Sequence, residues 1–374
     1  MSEGATGGEV TPSVTSVLLI KTGSLGDVLR TTSVLPGLKL RFPGLELTWL
    51  VSRAAAPLVE RHRLVSRVVT CEPEEASSLD AARLELPSDR WDWVLSLDDE
   101  ASLCEFAASL DAARLSGATL DEQGQPTYTD DVEPWFGMGL LSKGGKLEAD
   151  RRKLENQRSH AEIFASMLGV ERGRPELPLP AQAHADAAKF ARDAGLNDST
   201  LVCGLNTGAG GRWRSKELPV ERVVAYAGAL ATAMGREVSF LVLGGAAERS
   251  RNDEILAGLR LLDAPIRVID AGTHHDLCTF AAILGLSDLL LTSDSLALHL
   301  GLAMEVPVVS FFAPTSAAEI DLFGLGEKVT SSAQDYCSYR PEVDRSTITV
   351  ERLVAASLKV LADHRGRRRL VARS

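Results

Sequence analysis

The sequence predicts an α/β fold built around two parallel sheets, and three observations support this. Apolar, strand-like runs alternate with helical patterns, this alternation occurs once in each half of the chain, and a proline-rich segment separates the two halves. Alternating strands and helices are typical of parallel sheets covered by helices on both faces. A chain of 374 residues is too long for one ordinary core and fits two domains.

The pattern in the first half of the sequence predicts one parallel sheet. Its apolar runs indicate strands at 17–20, 45–51, 67–70 and 93–97. A helical pattern at 29–41 connects the first two strands, as in a βαβ unit. The segment 119–156 is polar and rich in glycine, so we expect a long loop or a set of short helices beside a binding cleft.

The second half repeats this architecture after a boundary within 171–200, because 171–180 is too rich in proline for a regular element. A helix is predicted at 183–194, strands at 201–205, 238–243, 266–270, 289–292 and 307–312, and a last helix at 349–363. The predicted domains are 16–180 and 195–348, followed by a helix and basic tail at 349–374. We expect 1–15 to be a disordered leader and the tail to be solvated, with contact of the tail with anionic lipid as the alternative.

Composition excludes several functional classes. The net charge of −11 argues against a nucleic-acid binder, which needs a basic face. No apolar run reaches the roughly 18 residues of a membrane span, and the start of the chain lacks a signal-peptide pattern. Five scattered cysteines without a Cys-x-x-Cys pair indicate reduced thiols in a cytoplasmic protein, with no metal site. His275-Asp-Leu-Cys278 is interpreted as a capped helix start.

The most informative segment is Val17-Leu-Leu-Ile-Lys-Thr-Gly-Ser-Leu-Gly-Asp27-Val-Leu-Arg30. An apolar strand enters a turn with Gly23 and Gly26, and an acid stands where a helix begins. A carboxylate at the carboxyl end of the first parallel strand faces the crevice where open α/β sheets bind ligands. Asp27 is therefore a candidate catalytic residue, and the alternative is that it only caps the helix.

A glycine-rich loop follows the first strand of the second half, in Gly204-Leu-Asn-Thr-Gly-Ala-Gly-Gly-Arg-Trp-Arg-Ser-Lys216-Glu-Leu-Pro219. Its glycines let backbone N–H groups approach an anion, and Lys216 adds a positive charge just before a helix that Pro219 helps to start. Gly-Lys-Ser/Thr is missing, so the segment is no Walker loop. The segment is also no dinucleotide-binding motif of the dehydrogenases, because Trp213 stands where that motif needs its third glycine.

Two further motifs follow later strands. Glu248 lies beyond a strand and a Gly-Gly turn, where a carboxylate can accept hydrogen bonds from sugar hydroxyls, or can simply begin a helix. Ser293-Asp294-Ser295 ends a buried strand and begins a helix whose free N–H groups suit a pyrophosphate. His299 lies in the first turns of that helix, where ligand binding and packing are equally plausible roles.

Together these motifs resemble the family-nine glycosyltransferases, the bacterial heptosyltransferases that build lipopolysaccharide core. The resemblance covers about 16–341 and keeps the family's order of motifs: Ser24-Leu-Gly-Asp27, Asn206-Thr-Gly-Ala, Trp213-Arg-Ser-Lys216-Glu-Leu-Pro219, Asp294-Ser-Leu-Ala-Leu-His299 and Phe312-Ala-Pro-Thr315. It implies a GT-B fold of two Rossmann-like domains, with the acceptor bound by the first domain and the nucleotide sugar by the second.

The resemblance also implies a reaction, in which a sugar such as heptose moves from ADP-heptose to a hydroxyl of a glycan such as lipopolysaccharide core. The transfer would be inverting, with Asp27 as base and no metal or cofactor. The implied donor-binding residues are Thr207, Gly208, Lys216, Glu248, Asp294, Ser295, Leu296 and His299, and the implied acceptor-binding residues are Gly26 and Arg30. A cytoplasmic enzyme with peripheral contact to the inner membrane is expected.

Two departures from the family pattern keep alternatives open. Leu296 stands where the family has a glycine that allows close backbone approach to a phosphate. Arg30 stands where many members have histidine. A different nucleotide-sugar donor, or a capsule, glycoprotein or natural-product acceptor, is therefore one alternative. A catalytically silent nucleotide-sugar binding module is the other.

Overall fold

The computed structural model describes residues 15–197, 199–210 and 213–364. Residues 1–14 of the predicted leader (1–15) and the basic tail from 365 onward lie outside these residues. The described chain forms two lobes, each with a parallel sheet between helices. The α/β prediction with two parallel sheets is confirmed.

The first sheet has the order β3-β2-β1-β5-β7-β8, parallel except for the β7–β8 hairpin, and β4 and β6 form a small separate pair. The strand bounds are β1 Ser16–Ile20, β2 Glu46–Ser52, β3 Arg67–Cys71, β4 Arg90–Trp91, β5 Trp93–Ser96, β6 Asp111–Ala112, β7 Leu115–Leu120 and β8 Pro126–Tyr128. Residues 17–20 of β1 are buried because β2 and β5 flank the strand and helices cover both faces.

The second sheet has the order β11-β10-β9-β12-β13-β14 and is parallel throughout. Its strands are β9 Val202–Asn206, β10 Val238–Val242, β11 Ile266–Asp270, β12 Leu289–Ser293, β13 Val308–Phe312 and β14 Gly326–Thr330. In both sheets the chain starts in the middle, moves outward to one edge and returns to the other side. The switch points lie between β1 and β5 and between β9 and β12, where ligands bind in such sheets.

The helices lie between the strands and over the cleft. Their bounds are α1 Leu25–Thr31, α2 Leu35–Arg41, α3 Ala76–Glu85, α4 Ala101–Ala108, α5 Glu133–Phe136, α6 Gly145–Glu155, α7 His160–Leu168, α8 Ala181–Asp193, α9 Val220–Met234, α10 Arg249–Arg260, α11 Leu277–Leu284, α12 Leu296–Ala303 and α13 Val350–Asp363. α8 packs against α11 of the second lobe.

The strands expected from the apolar runs are all present, with ends that differ by at most one residue. The helix expected at 29–41 begins earlier, at Leu25, and a 3-10 turn at Thr32–Val34 divides it. Pro36 lies in the first turn of α2, where its missing N–H costs nothing. The insert 119–156 contains the short helices α5 and α6, as predicted, but also the strand β8. The strands β4, β6, β7 and β14 were not foreseen either.

Two of the alternatives for helix starts are resolved. Ser24 is the N-cap of α1 and Asp27 lies in its first turn, so the interpretation of Asp27 as the capping residue is wrong. Asp276 caps α11 by accepting a hydrogen bond from the Thr279 N–H at 2.9 Å, which confirms the capped helix start around His275–Cys278.

Candidate functional site

A cavity of about 810 Å³ opens between the lobes, at the carboxyl ends of the central strands of both sheets. Its wall joins the start of α1 to the glycine-rich loop after β9 and the start of α12. Ten of the predicted site residues line this cavity: Gly26, Asp27, Arg30, Gly208, Lys216, Glu248, Asp294, Ser295, Leu296 and His299. The motifs that sequence reasoning selected in both halves thus meet in one place.

Asp27 projects from the first turn of α1, and its side chain is 35% exposed. Its Oδ1 lies 3.0 Å from a guanidinium nitrogen of Arg30, one turn along the helix. Burial acts to raise the pKa of the Asp27 carboxyl, but the positive charges of Arg30 and Lys21 outweigh it, so that this pKa lies below its ordinary value. Asp27 is therefore an ionised hydrogen-bond acceptor in the cleft at neutral pH.

Arg30 is held by the insert as well as by Asp27. Its side chain is 14% exposed, and its guanidinium lies 5.2 Å from the centre of the Trp135 ring. Trp135 in turn packs edge-on against His160 and Phe164. A guanidinium fixed between a carboxylate and an aromatic face is well ordered, so the insert contributes to the orientation of the Asp27 carboxylate.

His299 connects the lobes at the floor of the cleft. A Cβ atom on Gly26 would lie 2.6 Å from Cδ2 of His299, so only glycine permits this approach of α1 to α12. The histidine is 6% exposed. Burial and the nearby Arg30 charge lower the pKa of His299 to about 4, despite the opposing charges of Asp294 and Asp27. The imidazole is thus neutral near pH 7.

Lys216 and Asp294 form an ion pair on the second lobe. The Lys216 Nζ lies 2.9 Å from Oδ2 and 3.0 Å from the backbone oxygen of Asp294. Burial acts to raise the pKa of Asp294, but Lys216 and then His299 lower it, to about 2. The ammonium group lies in the cleft beside the first turn of α12, where helix N–H groups favour negative charge.

The glycine-rich loop contacts Glu248. The Glu248 carboxylate accepts hydrogen bonds from the Gly210 N–H at 2.5 Å and from the Gly245 N–H at 2.9 Å. A Cβ atom on Gly208 would lie 2.6 Å from Cγ of Glu248. Glu248 also completes a capping box at the turn before α10. It therefore begins a helix, as the alternative interpretation held, and it also lines the cleft.

Thr207 is placed differently from the other ten residues. It is 2% exposed and lies behind the cavity wall, where its hydroxyl accepts a hydrogen bond from Arg251 at 3.0 Å. Its neighbours Asn206 and Gly208 line the cavity. The Thr207 side chain, which was predicted to bind the donor, therefore does not reach the cavity.

Leu296 is the first residue of α12, directly after the N-cap Ser295. Its side chain is half-buried, packs against the main hydrophobic core and lines the cleft at the same time. Leu296 therefore packs in the core and also forms part of the cleft wall, beside the turn that is proposed to bind an anion.

Among the wall residues that sequence reasoning missed are Tyr339 and Glu319. Tyr339 donates a hydrogen bond of 2.9 Å to Oε1 of Glu319, and both residues line the cleft. Burial raises the pKa of Glu319, with Arg30 acting in the opposite direction. Glu319 follows the Phe312-Ala-Pro-Thr315 motif by four residues, but an isolated glutamate at that spacing carries no recognisable signal.

Two lobes that each contain a Rossmann-like sheet and face each other across a ligand-sized cleft define the GT-B class of fold, which many glycosyltransferases have. No family model matches the sequence. Over 362 residues the chain is 25% identical to lipopolysaccharide heptosyltransferase 1 of Pseudomonas aeruginosa, covering 90% of this chain and 91% of that protein.

Solved structures give the same result for the fold. A family 9 glycosyltransferase from Veillonella parvula matches with a TM-score of 0.74 at 17% identity, covering 93% of this chain and 98% of that one. The E. coli heptosyltransferase WaaC, solved with ADP-2-deoxy-2-fluoro heptose, matches with a TM-score of 0.57 at 18% identity, covering 93% and 99%. The resemblance to the family 9 heptosyltransferases is confirmed, and the comparisons support a glycosyltransferase.

The described residues contain neither a cluster of metal ligands nor a membrane-spanning helix. No group of three or more histidine, cysteine, aspartate or glutamate side chains in this part of the chain is arranged to hold a metal ion. No helix within the described ranges is long and apolar enough to span a membrane.

Proposed function

We propose that this protein is an inverting glycosyltransferase that moves a heptose from ADP-heptose to a hydroxyl of a lipopolysaccharide-core glycan. The observation that carries the proposal is the placement of Asp27 and Lys216. An ionised carboxylate on the first lobe and a cation beside a helix N-terminus on the second line the same cavity. These are the groups that such a transfer needs on the two sides of the reacting carbon.

The reaction is a single displacement at the anomeric carbon. The acceptor oxygen forms a bond to that carbon while its proton passes to a carboxylate oxygen of Asp27. The bond between the carbon and the diphosphate oxygen breaks, and ADP leaves with the electron pair. Asp27 is already ionised in the free protein, so it needs no prior deprotonation, and a cation-like transition state requires only a weak base.

The second lobe would bind the donor. Lys216 and the N–H groups at the start of α12 offer positive charge to a diphosphate. In the free protein the carboxylate of Asp294 binds Lys216, and Glu248 binds the Gly210 N–H. The donor phosphates would compete with these two carboxylates. ADP-heptose is favoured because a protein with the same fold is described with an ADP-heptose analogue.

The first lobe would bind the acceptor. Arg30 is fixed beside Asp27 by Trp135, so its remaining guanidinium edge can orient an acceptor oxygen or an acidic group near the base. Gly26 has no side chain to obstruct this corner of the cleft.

The location in the cytoplasm and contact with the inner membrane remain predictions based on the resemblance.

We also propose that the transfer needs no metal ion, since Lys216 and the first turn of α12 can neutralise the leaving diphosphate. Activity should then persist in excess EDTA. Complete loss of activity that added Mg²⁺ or Mn²⁺ restores would contradict this part of the proposal and leave the transfer itself intact.

The test is a product assay with ADP-heptose and a lipopolysaccharide-core acceptor that lacks the terminal heptose. We expect release of ADP with equimolar glycosylated acceptor, and NMR of the product should show an inverted anomeric configuration. Release of a different nucleotide from a panel of nucleotide sugars would favour another donor. The leucine at position 296, where the family has a glycine, is the reason to test this alternative. Binding of nucleotide sugars without any turnover would favour the silent binding module.

A further inference from the structure

A buried ion pair lies at the start of the turn that leads into α1, the helix of Asp27. Lys21 follows the last residue of β1, and Asp98 follows the end of the neighbouring strand β5 by two residues. The two residues are 8% and 4% exposed, and the Lys21 Nζ contacts Oδ1 of Asp98. The pair therefore joins the two strand ends at the switch point of the first sheet.

Asp98 also holds the next residue of the chain. Its Oδ2 accepts hydrogen bonds from the backbone N–H of Thr22 and, at 2.7 Å, from the Thr22 hydroxyl. The backbone of Lys21 is fixed on its other side, because its carbonyl accepts a 3.0 Å hydrogen bond from the Trp49 indole and its N–H donates to Leu50 at 3.1 Å. The chain is thus fully tethered immediately before the turn into α1.

The stability of the sheet does not explain this arrangement. β1 and β5 are already paired through four successive residues of each strand. Replacing a buried ion pair with apolar side chains of similar volume is often neutral or stabilising. A charge pair retained in the core at this place therefore suggests a role in the site above it.

We propose that the Lys21–Asp98 pair is a positioning device for the catalytic base: Asp98 fixes the loop that begins α1, and the Lys21 ammonium stabilises the ionised form of Asp27. This inference rests on the proposed role of Asp27 as base. Lys21 and Asp98 themselves touch neither substrate, and both act through Asp27.

The surrounding charges explain why Lys21 is needed. Asp27 faces Arg30 on its own helix, and from the second lobe it faces His299 and Asp294. His299 is neutral near pH 7, and Asp294 disfavours a second negative charge. Arg30 and Lys21 are therefore the cations that offset both burial and Asp294, and Arg30 is also the residue closest to the proposed acceptor. An acceptor that engages Arg30 would leave Lys21, held in place by Asp98, as the remaining cation that acts on Asp27.

The test compares Lys21→Met/Asp98→Leu, which removes both charges without leaving one unpaired, with the wild-type protein. Thr48→Val, a buried substitution on the adjacent strand β2, is the control for disturbance of the sheet. Carbon-13 NMR of labelled aspartate, with the Asp27 signal assigned from Asp27→Asn, gives the titration midpoint of Asp27. Product assays give kcat and KM.

We expect the double variant to raise the Asp27 midpoint by about one pH unit and to lower kcat at least 10-fold, with the KM for donor within about 2-fold. Thr48→Val should match the wild type in both readouts. If the double variant does not fold, Lys21→Gln serves instead, because its amide still donates to Asp98. An Asp27 midpoint and a kcat that equal those of the wild type, in the double variant or in its replacement Lys21→Gln, would overturn the inference.

The NMR measurement needs no turnover, so it separates this inference from the proposed function. A raised midpoint in a protein that transfers no sugar would support the electrostatic role of Lys21 and refute the function. An unchanged midpoint in an active transferase would refute the inference alone.

Discussion

The loops after β1 and β9 occupy equivalent places in the two sheets, but they are held in opposite ways. Asp98, from the strand next to β1, is almost fully buried and tethers both Lys21 and Thr22. Glu248, from the loop after β10, is half-buried and holds the backbone N–H of Gly210. A base needs a fixed position, whereas a phosphate-binding loop needs backbone N–H groups that a ligand can take over.

The same contrast applies to the cations. Lys21 and its partner Asp98 are both buried in the first lobe, whereas Lys216 and its partner Asp294 both line the cleft. The difference fits the proposal that Lys21 stabilises the ionised form of Asp27 and that Lys216 is available to a ligand. Four measurements test this difference between the lobes.

The largest effect is expected for Asp27→Asn on the first lobe. Loss of the carboxylate should lower kcat by about 10²–10⁴-fold, the usual contribution of general-base catalysis, and should leave binding of ADP intact. Steady-state kinetics and calorimetric titration with ADP measure the two effects. Asp193→Asn, on the surface of α8, is the matched control. Turnover at the wild-type rate would remove Asp27 from the mechanism.

Lys216→Ala tests the corresponding cation of the second lobe. Because a hydrogen bond to a charged group contributes about 1.5–3 kcal/mol, the affinity for ADP should fall roughly 10- to 100-fold while adenosine binds as before. The control is Lys359→Ala, which removes an exposed lysine far from the cleft. Equal losses for ADP and adenosine would show that Lys216 does not contact phosphate.

His299 lies where the lobes meet and gives a pH dependence of stability. Its pKa of about 4 in the folded state is below the value of about 6.5 in an unfolded chain, so the unfolded state takes up a proton first as the pH falls. Stability should therefore decline between pH 6.5 and 4, by about 2 kcal/mol from pH 7 to pH 5 for this residue.

Urea unfolding at both pH values measures this decline, with His299→Gln as the comparison. The buried His160, whose pKa burial also lowers, contributes to the same window in both proteins. The loss of stability should thus be smaller in the variant but not absent. An identical decline in the two proteins would show that His299 titrates normally.

The smallest effect is expected for Leu296→Gly at the start of α12. If the leucine crowds the diphosphate, the variant should bind ADP-heptose more tightly by a few-fold, although glycine in the helix costs about 1 kcal/mol of stability. Calorimetric titration and thermal unfolding distinguish the effects. Weaker or unchanged binding together with a lower melting temperature would identify Leu296 as a packing residue.

Most of the fold could be predicted from local patterns, because buried parallel strands appear as continuous apolar runs. β14 could not, since Gly326-Glu-Lys-Val-Thr330 lies at a sheet edge and contains only one buried apolar residue, Val329, instead of an apolar run. The predicted domain boundaries, 16–180 and 195–348, stay predictions.

The candidate site could be predicted where motifs stand at strand ends, as for Asp27, Lys216 and Asp294. Thr207 shows the limit of motif reasoning: successive residues of an extended segment point to opposite sides, so Asn206 and Gly208 reach the cleft and Thr207 does not. The Lys21–Asp98 pair joins residues 77 positions apart, and a single sequence has no local signal for such a contact.

The close approach of Gly26 to His299 has a mechanical consequence. It packs α1, the helix of the proposed base Asp27, against α12, which begins at the proposed phosphate site. A rotation of the lobes that preserves this contact leaves the base and the phosphate site at a constant separation. The contact would then serve as a pivot, and the cleft would open for exchange of substrates at its outer rim, near Glu248 and Tyr339, while the reacting centre keeps its dimensions.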